Sequence, residues 1–223
     1  MEFRDVVRSR RMVRAYDPDR TVPAAVLTEL LELAIRAPSA GFSQGWDFIV
    51  LRSPADRARF WTAAQEAGST REPDRWLLGM QTAPVLLLCL SDADRYLDRY
   101  AEPDKGWSDR DPARWPVPYW DVDTGMAGLL LLLGAVDAGL VGCFFGVPPE
   151  RQDAVLTALG APIARRIVGV VSIGYPAPDG SDRRSPSLRR GRRPVTEVAH
   201  DGAFGTPWPP FHPPVIMHKI SPP

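Results

Sequence analysis

The chain has 223 residues, of which 27 are basic, 27 acidic and 44% apolar. This composition is globular and excludes a disordered chain, a collagen and a coiled coil. A formal net charge of zero argues against bulk nucleic-acid binding, which needs a surplus of cations facing phosphates.

Residues 2–9 predict a short first helix, followed at once by the basic run Arg10, Arg11, Arg14. Thr21 and Pro23 suit a helix start. Val26, Leu27, Leu30, Leu31 and Ala34 then recur at helical spacing, with Pro38 as the stop. The next stretch, APSAGFSQG, is a loop of small and turn-forming residues. WDFIVL (46–51) reads as a strand and residues 54–67 as a helix. The apolar run PVLLLCL (84–90) fits a strand buried on both faces. Residues 93–120, rich in Tyr, Trp, Asp and Pro, show no clear period and read as a long loop of the kind that is functional or mobile. Asp123 is placed to cap a long apolar helix reaching about Asp137, which Gly139 ends. VGCFFGV (141–147) is a short strand-like run, 148–159 a further helix, and RIVGVVSIGY (166–175) a strand rich in β-branched residues. The proline-rich end carries Trp208, Phe211, Val215, Ile216 and Met217, which suit an apolar partner such as a second subunit. Helices and strands are mixed without an internal repeat, so the class is α/β or α+β in one domain.

Several chemistries are absent from the sequence. There is no Walker A run, no GxGxxG after a strand and no HExxH. His200, His212 and His218 all lie near the C-terminus, and no carboxylate pair stands out. The two cysteines, Cys89 and Cys143, sit in apolar stretches and read as buried free thiols, so no metal is expected. The N-terminus lacks an apolar run suited to a signal peptide, and MAGLLLLLGAV is too short to span a bilayer. A soluble cytoplasmic protein without membrane partners is the expectation.

Three local signals remain. Arg10-Arg11-Met12-Val13-Arg14 presents guanidinium forks suited to a phosphate and to ring oxygens, or else forms a solvated basic stretch. The loop from Ala37 to Trp46 has small residues that let a flat ligand approach the backbone, with Ser39 and Gln44 as hydrogen-bonding groups, or else simply joins a helix to a strand. Arg190 and Arg192, two apart in an extended segment, point the same way and suit one phosphate, or else belong to a basic linker.

In order and spacing, these signals resemble the FMN-dependent nitroreductase family. RRMVRAY (10–16) is similar to that family's opening RRSVR-x-F/Y run, and APSAGFSQGWDF (37–48) to its APSAGNxQPWxF loop. VDTGMAGLLLLLGAVDAGLVGCFFGV (122–147) resembles its helix and glycine-ended strand, and GRRPVTEV (191–198) its closing K-R-K-P-x-x-E-V segment. The resemblance implies an α+β fold with a central, mostly antiparallel sheet flanked by helices, in an intertwined homodimer. It makes residues 1–205 the FMN-binding domain; the 206–223 tail, which has no counterpart in the family, is expected to pack on the partner.

The same resemblance implies cofactor contacts. Arg10, Arg11 and Arg14 would hold the phosphate and the polar ring edge, with Met12 and Val13 giving backbone contacts. Pro38, Ser39 and Ala40 would come from the partner subunit, near Gln44. Cys143, Phe144, Phe145 and Gly146 would line the reactive nitrogen, and Arg192, helped by Arg190, would grip the phosphate. NADH or NADPH would reduce the flavin, which would then reduce a nitroaromatic- or quinone-like small molecule by a ping-pong route. No catalytic acid or base is assigned. Phe42, Tyr100, Trp107, Trp115, Tyr119 and Trp120 are the candidate acceptor contacts; the last five stack on a flat acceptor as a lid or form a structural patch at the dimer surface. Three positions depart from the family pattern: Met12 stands for Ser, Phe42 for Asn and Gly45 for Pro; Phe145 sits where some members are acidic. The alternatives are a flavin-dependent oxidase or dehydrogenase of a biosynthetic pathway, and a non-enzymatic FMN-sequestering protein.

Overall fold

Trp46–Leu51 (β1), Val85–Ser91 (β2), Val141–Phe145 (β3) and Arg166–Gly174 (β4) form one sheet in the order β1-β2-β4-β3. Every neighbouring pair is antiparallel. The computed structural model describes residues 1–65, 72–178 and 189–208. Met1–Arg183 and Arg184–Pro223 form separate compact units. The sheet belongs to the first, and the expected apolar contacts of Phe211, Val215, Ile216 and Met217 lie outside the described residues.

β2 is central and fully buried, as its unbroken apolar sequence requires. Its residues alternate between two cores. Leu86, Leu88 and Leu90 face a cluster with Phe60, Trp61, Met80, Val155 and Leu156. Val85, Leu87 and Cys89 face a cluster with Leu27, Leu30, Ala34, Ala127, Leu131 and Ala135. A bulge in β4, where Cys89 pairs with Gly169 but Leu90 with Ile167, keeps Ile167 and Val170 on one face despite their odd separation.

The helices fall on the two faces accordingly. Ala24–Ala34 (α2) and Tyr119–Asp137 (α6) cover one side, while Pro54–Ala64 (α3), Arg75–Gln81 (α4) and Gln152–Ala158 (α7) cover the other. Phe3–Ser9 (α1) packs beside α6. The class is therefore α+β, with an antiparallel sheet between helical layers.

The differences from the sequence expectations are local. α2 stops at Ala34, short of Pro38, and α3 stops at Ala64, where Gln65 turns extended. The stretch 93–120 is not one loop: Ala93–Ala101 forms a helix (α5) capped by the Asp92 carboxylate, and α6 begins at Tyr119. Asp123 consequently lies inside α6, buried, and caps nothing. Gly139 ends α6 as expected, at φ 73°. In the second unit, Val195–Val198 forms a single turn (α8) held by Arg193, which donates to Glu197 O at 2.8 Å. Gly191, at φ 69°, interrupts the extended alternation expected between Arg190 and Arg192.

Candidate active site

The first arginine run is fixed by its backbone along the free edge of β3. The Val13 amide donates to Gly142 O at 3.0 Å, and the Phe144 amide reaches Met12 Sδ at 3.4 Å. Tyr16, fully buried, folds the run back on itself: its hydroxyl donates to Val13 O at 2.8 Å and shares a hydrogen with Ser172 Oγ at 2.7 Å. α4 lies beneath Arg14 so closely that a Cβ on Gly79 would sit 2.1 Å from Arg14 O. The Arg10 Nη1 atom is buried and has no hydrogen-bond partner among the described residues. A desolvated guanidinium donor left unmatched is costly, and an anion is the group that satisfies it. Residues 10–14 and Gly142–Phe144 thus lie side by side. Phe145 turns into the core, stacking on Trp61 with ring centroids 5.7 Å apart and 7° between planes.

The APSAGFSQG loop sits elsewhere in the chain. It leads into β1, on the edge of the sheet opposite β3. The register runs Gly142↔Ile173↔Val85 on one level and Trp46↔Ser91 on another. At ~4.8 Å per strand and ~3.3 Å per residue, the start of β1 lies on the order of 25 Å from Gly142. One chain therefore does not bring Pro38, Ser39 and Ala40 beside its own arginine run.

The loop is rigidly held. The buried Asp123 Oδ2 accepts from the Ala40 amide at 2.8 Å and from the Tyr96 hydroxyl at 2.8 Å. Burial and the adjacent carboxylate push the Tyr96 hydroxyl well above the ordinary tyrosine range. Arg99 Nε donates to Gly41 O at 3.0 Å, and the Gln44 amide donates to Ser39 Oγ at 3.0 Å. Gly45, where proline is usual in the family pattern, faces the Tyr96 ring: a Cβ there would lie 2.5 Å from it. Asp92, buried at the end of β2, pairs with Arg165 at 2.7 Å and ties the start of β1 to β4 together with Asp47. The sequence reading missed Asp123, Tyr96 and Arg99 as the loop's supports.

The aromatic residues between α5 and α6 pack on one another around Trp115. Its ring lies 4.5 Å from Tyr100, 5.4 Å from Trp107, 5.6 Å from Tyr119 and 6.0 Å from Trp120. The Tyr100 ring also backs Gly41, where a Cβ would meet it at 2.7 Å. The cluster and the loop are one assembly. No group of His, Cys, Asp and Glu suited to a metal occurs among the described residues.

Comparisons with known proteins agree with this architecture. The sequence model of the nitroreductase family matches residues 7–175. The NADH dehydrogenase of Thermus thermophilus is 32% identical over 199 residues, covering 81% of this chain and 90% of that protein. A crystal structure described as a nitroreductase in complex with FMN, from Exiguobacterium sibiricum, superposes with a TM-score of 0.69 at 22% identity, over 89% of this chain and 96% of its own. An FMN-dependent nitroreductase of Clostridium difficile gives 0.63 at 18% identity, over 89% and 98%.

Proposed function

This chain belongs to the nitroreductase family, and from that premise we propose that it works as a homodimeric FMN-dependent oxidoreductase. NADH or NADPH is the electron donor, and a small, electron-poor nitroaromatic- or quinone-like molecule is the acceptor. The observation that carries this reading is the buried, unmatched Arg10 Nη1 beside a backbone-fixed arginine run. That donor set fits a phosphate monoester joined to a flat polar ring.

FMN, when bound, supplies the centre that accepts and then donates hydride. Arg10, Arg11 and Arg14 would hold its phosphate and polar ring edge, with Met12 and Val13 adding backbone contacts. Following the family pattern, Arg190 and Arg192 would add forks to the phosphate. Residues Cys143 to Gly146, at the end of β3, would line the ring. Pro38, Ser39, Ala40 and Gln44 of a second copy would lie by the ring and exclude water. Phe42, Tyr100, Trp107, Trp115, Tyr119 and Trp120 would flank the acceptor, which would follow the nucleotide into the same pocket. For a quinone, NAD(P)H and one proton from water yield NAD(P)⁺ and the hydroquinone, so two electrons and two protons balance.

Two features support the second copy. The arginine run and the small-residue loop lie on opposite sheet edges within one chain. The longest helix also leaves Tyr119, Val122, Met126 and Leu129 exposed at helical spacing, an apolar stripe that a symmetric partner would cover.

The test is spectroscopic. The purified protein is expected to be yellow and dimeric, and anaerobic NADH or NADPH should bleach the bound flavin. Failure of both nucleotides to bleach it would overturn the reductase reading and leave a flavin-dependent oxidase or dehydrogenase, or flavin sequestration. Arg192→Ala should weaken FMN affinity by about 10- to 150-fold; unchanged retention would remove Arg192 from the phosphate site.

A further inference from the structure

Phe42 is in a conformation that its side chain does not favour. Its φ is 57°, and Gly41 and Gln44 on either side have φ of 62° and 50°. For a residue with a Cβ this left-handed region is disfavoured, and Asn and Gly enter it most readily. Phe42 contributes little to its own chain's core: it is 77% exposed. It therefore serves neither the turn nor the core.

The segment carrying it is anchored. Ala40 is pinned to Asp123, Gly41 to Arg99, and Gln44 to Ser39. The Phe42 amide itself donates to Ser39 O at 2.9 Å, and the Tyr100 ring blocks retreat behind Gly41. A large aromatic face is thus held outward on a stiff platform. Strain kept in place by this many contacts marks a position whose side chain has a use.

We propose that Phe42 determines acceptor specificity: from the second copy it stacks on the open face of flat, uncharged aromatic acceptors, bicyclic quinones and nitroarenes, and favours them over compact hydrophilic oxidants. This rests on the homodimeric flavin reading above. Offset stacking between two aromatic faces has the right magnitude to set a preference between acceptors. A solvent-facing asparagine at the same place offers no such face.

The test compares Phe42→Leu, which keeps apolar bulk without a π-face, and Phe42→Asn, which suits the backbone conformation. The readout is the ratio of kcat/KM for 1,4-naphthoquinone to that for ferricyanide. It should fall by about 2- to 10-fold in both variants. Phe42→Asn should at the same time melt about 2–4 °C higher, because the strain is relieved. An unchanged ratio in FMN-loaded variants overturns the assignment while leaving the flavin reading intact. A lower Tm or loss of the dimer in Phe42→Asn also overturns it, since that is the signature of a packing residue. A wild-type protein that retains no FMN overturns both readings.

Discussion

Replacing Asp123 tests whether one buried carboxylate organises the APSAGFSQG loop. Asp123 is 3% exposed, and a single oxygen accepts from both Ala40 N and Tyr96 Oη at 2.8 Å. Asp123→Leu keeps the branched outline, with bulkier methyl groups in place of the oxygens, but orphans both donors, each worth about 1–3 kcal/mol when buried unmatched. Relief from burying the carboxylate offsets part of this, leaving an expected loss of about 2–4 kcal/mol. Asp123→Asn can still accept both hydrogens and loses only the charge assistance, for about 1–2 kcal/mol. Tyr96→Phe should cost about 1 kcal/mol alone but should be nearly free, or stabilising, in the Asp123→Leu background, because it removes an orphan. Urea unfolding at fixed protein concentration, on the four members of that cycle and on Asp123→Asn, measures each value. An Asp123→Leu cost below about 0.5 kcal/mol, or strict additivity with Tyr96→Phe, would refute the shared-acceptor argument.

If Arg10 holds the phosphate as proposed, Arg10→Ala should weaken FMN binding by about 10- to 100-fold, because the phosphate loses a charge-assisted donor; titration of the apoprotein with FMN checks this. Gly169→Ala would place a Cβ 2.1 Å from the Phe144 ring, so an overpacking cost of about 1–3 kcal/mol is expected, recovered largely by adding Phe144→Leu. Burial raises the Cys89 thiol from 9.0 to about 12, so the unfolded chain releases this proton first. Its contribution is intact below about pH 9 and is lost as pH climbs toward 12, at about 1.4 kcal/mol per unit. Urea midpoints at pH 9, 10 and 11 should fall more steeply for the wild type than for Cys89→Ala.

The strands were legible because burial on both faces or β-branched content left little alternative: 46–51 and 166–174 emerge almost residue for residue. α5 was also written in the sequence, since Ala93, Tyr96, Leu97, Tyr100 and Ala101 repeat at helical spacing. The Asp-Arg pairs at 94–95 and 98–99, and the prolines that follow, disguised it as loop. Asp123 was misread for a different reason. An aspartate before an apolar run suits a cap by type, but Pro116 and Pro118 already set the helix start, and its true partners lie 83 and 27 residues away. Such long-range acceptors leave no local pattern. The arginine run and the small-residue loop were visible as motifs, whereas their placement on opposite sheet edges follows only from the strand order.

That strand order explains why the proposed site is shared. With β1 and β3 at the two edges, the loop before β1 and the run beside β3 face away from each other, and no bending of a four-stranded sheet brings them together. The proposed two-fold pairing would do so, because each copy would then offer its loop where the other offers its arginines, and one self-complementary contact would build two equivalent sites. The division also separates two physical demands. The β3 edge supplies fixed cations and backbone donors, which suit an invariant cofactor. The loop, held by Asp123 and backed by the Trp115 cluster, carries the exposed Phe42, so in the proposed site acceptor preference would change through one side chain without disturbing the phosphate contacts. The departure from the family pattern at Phe42 falls on that side, while the arginines at 10, 11 and 14 keep to the pattern.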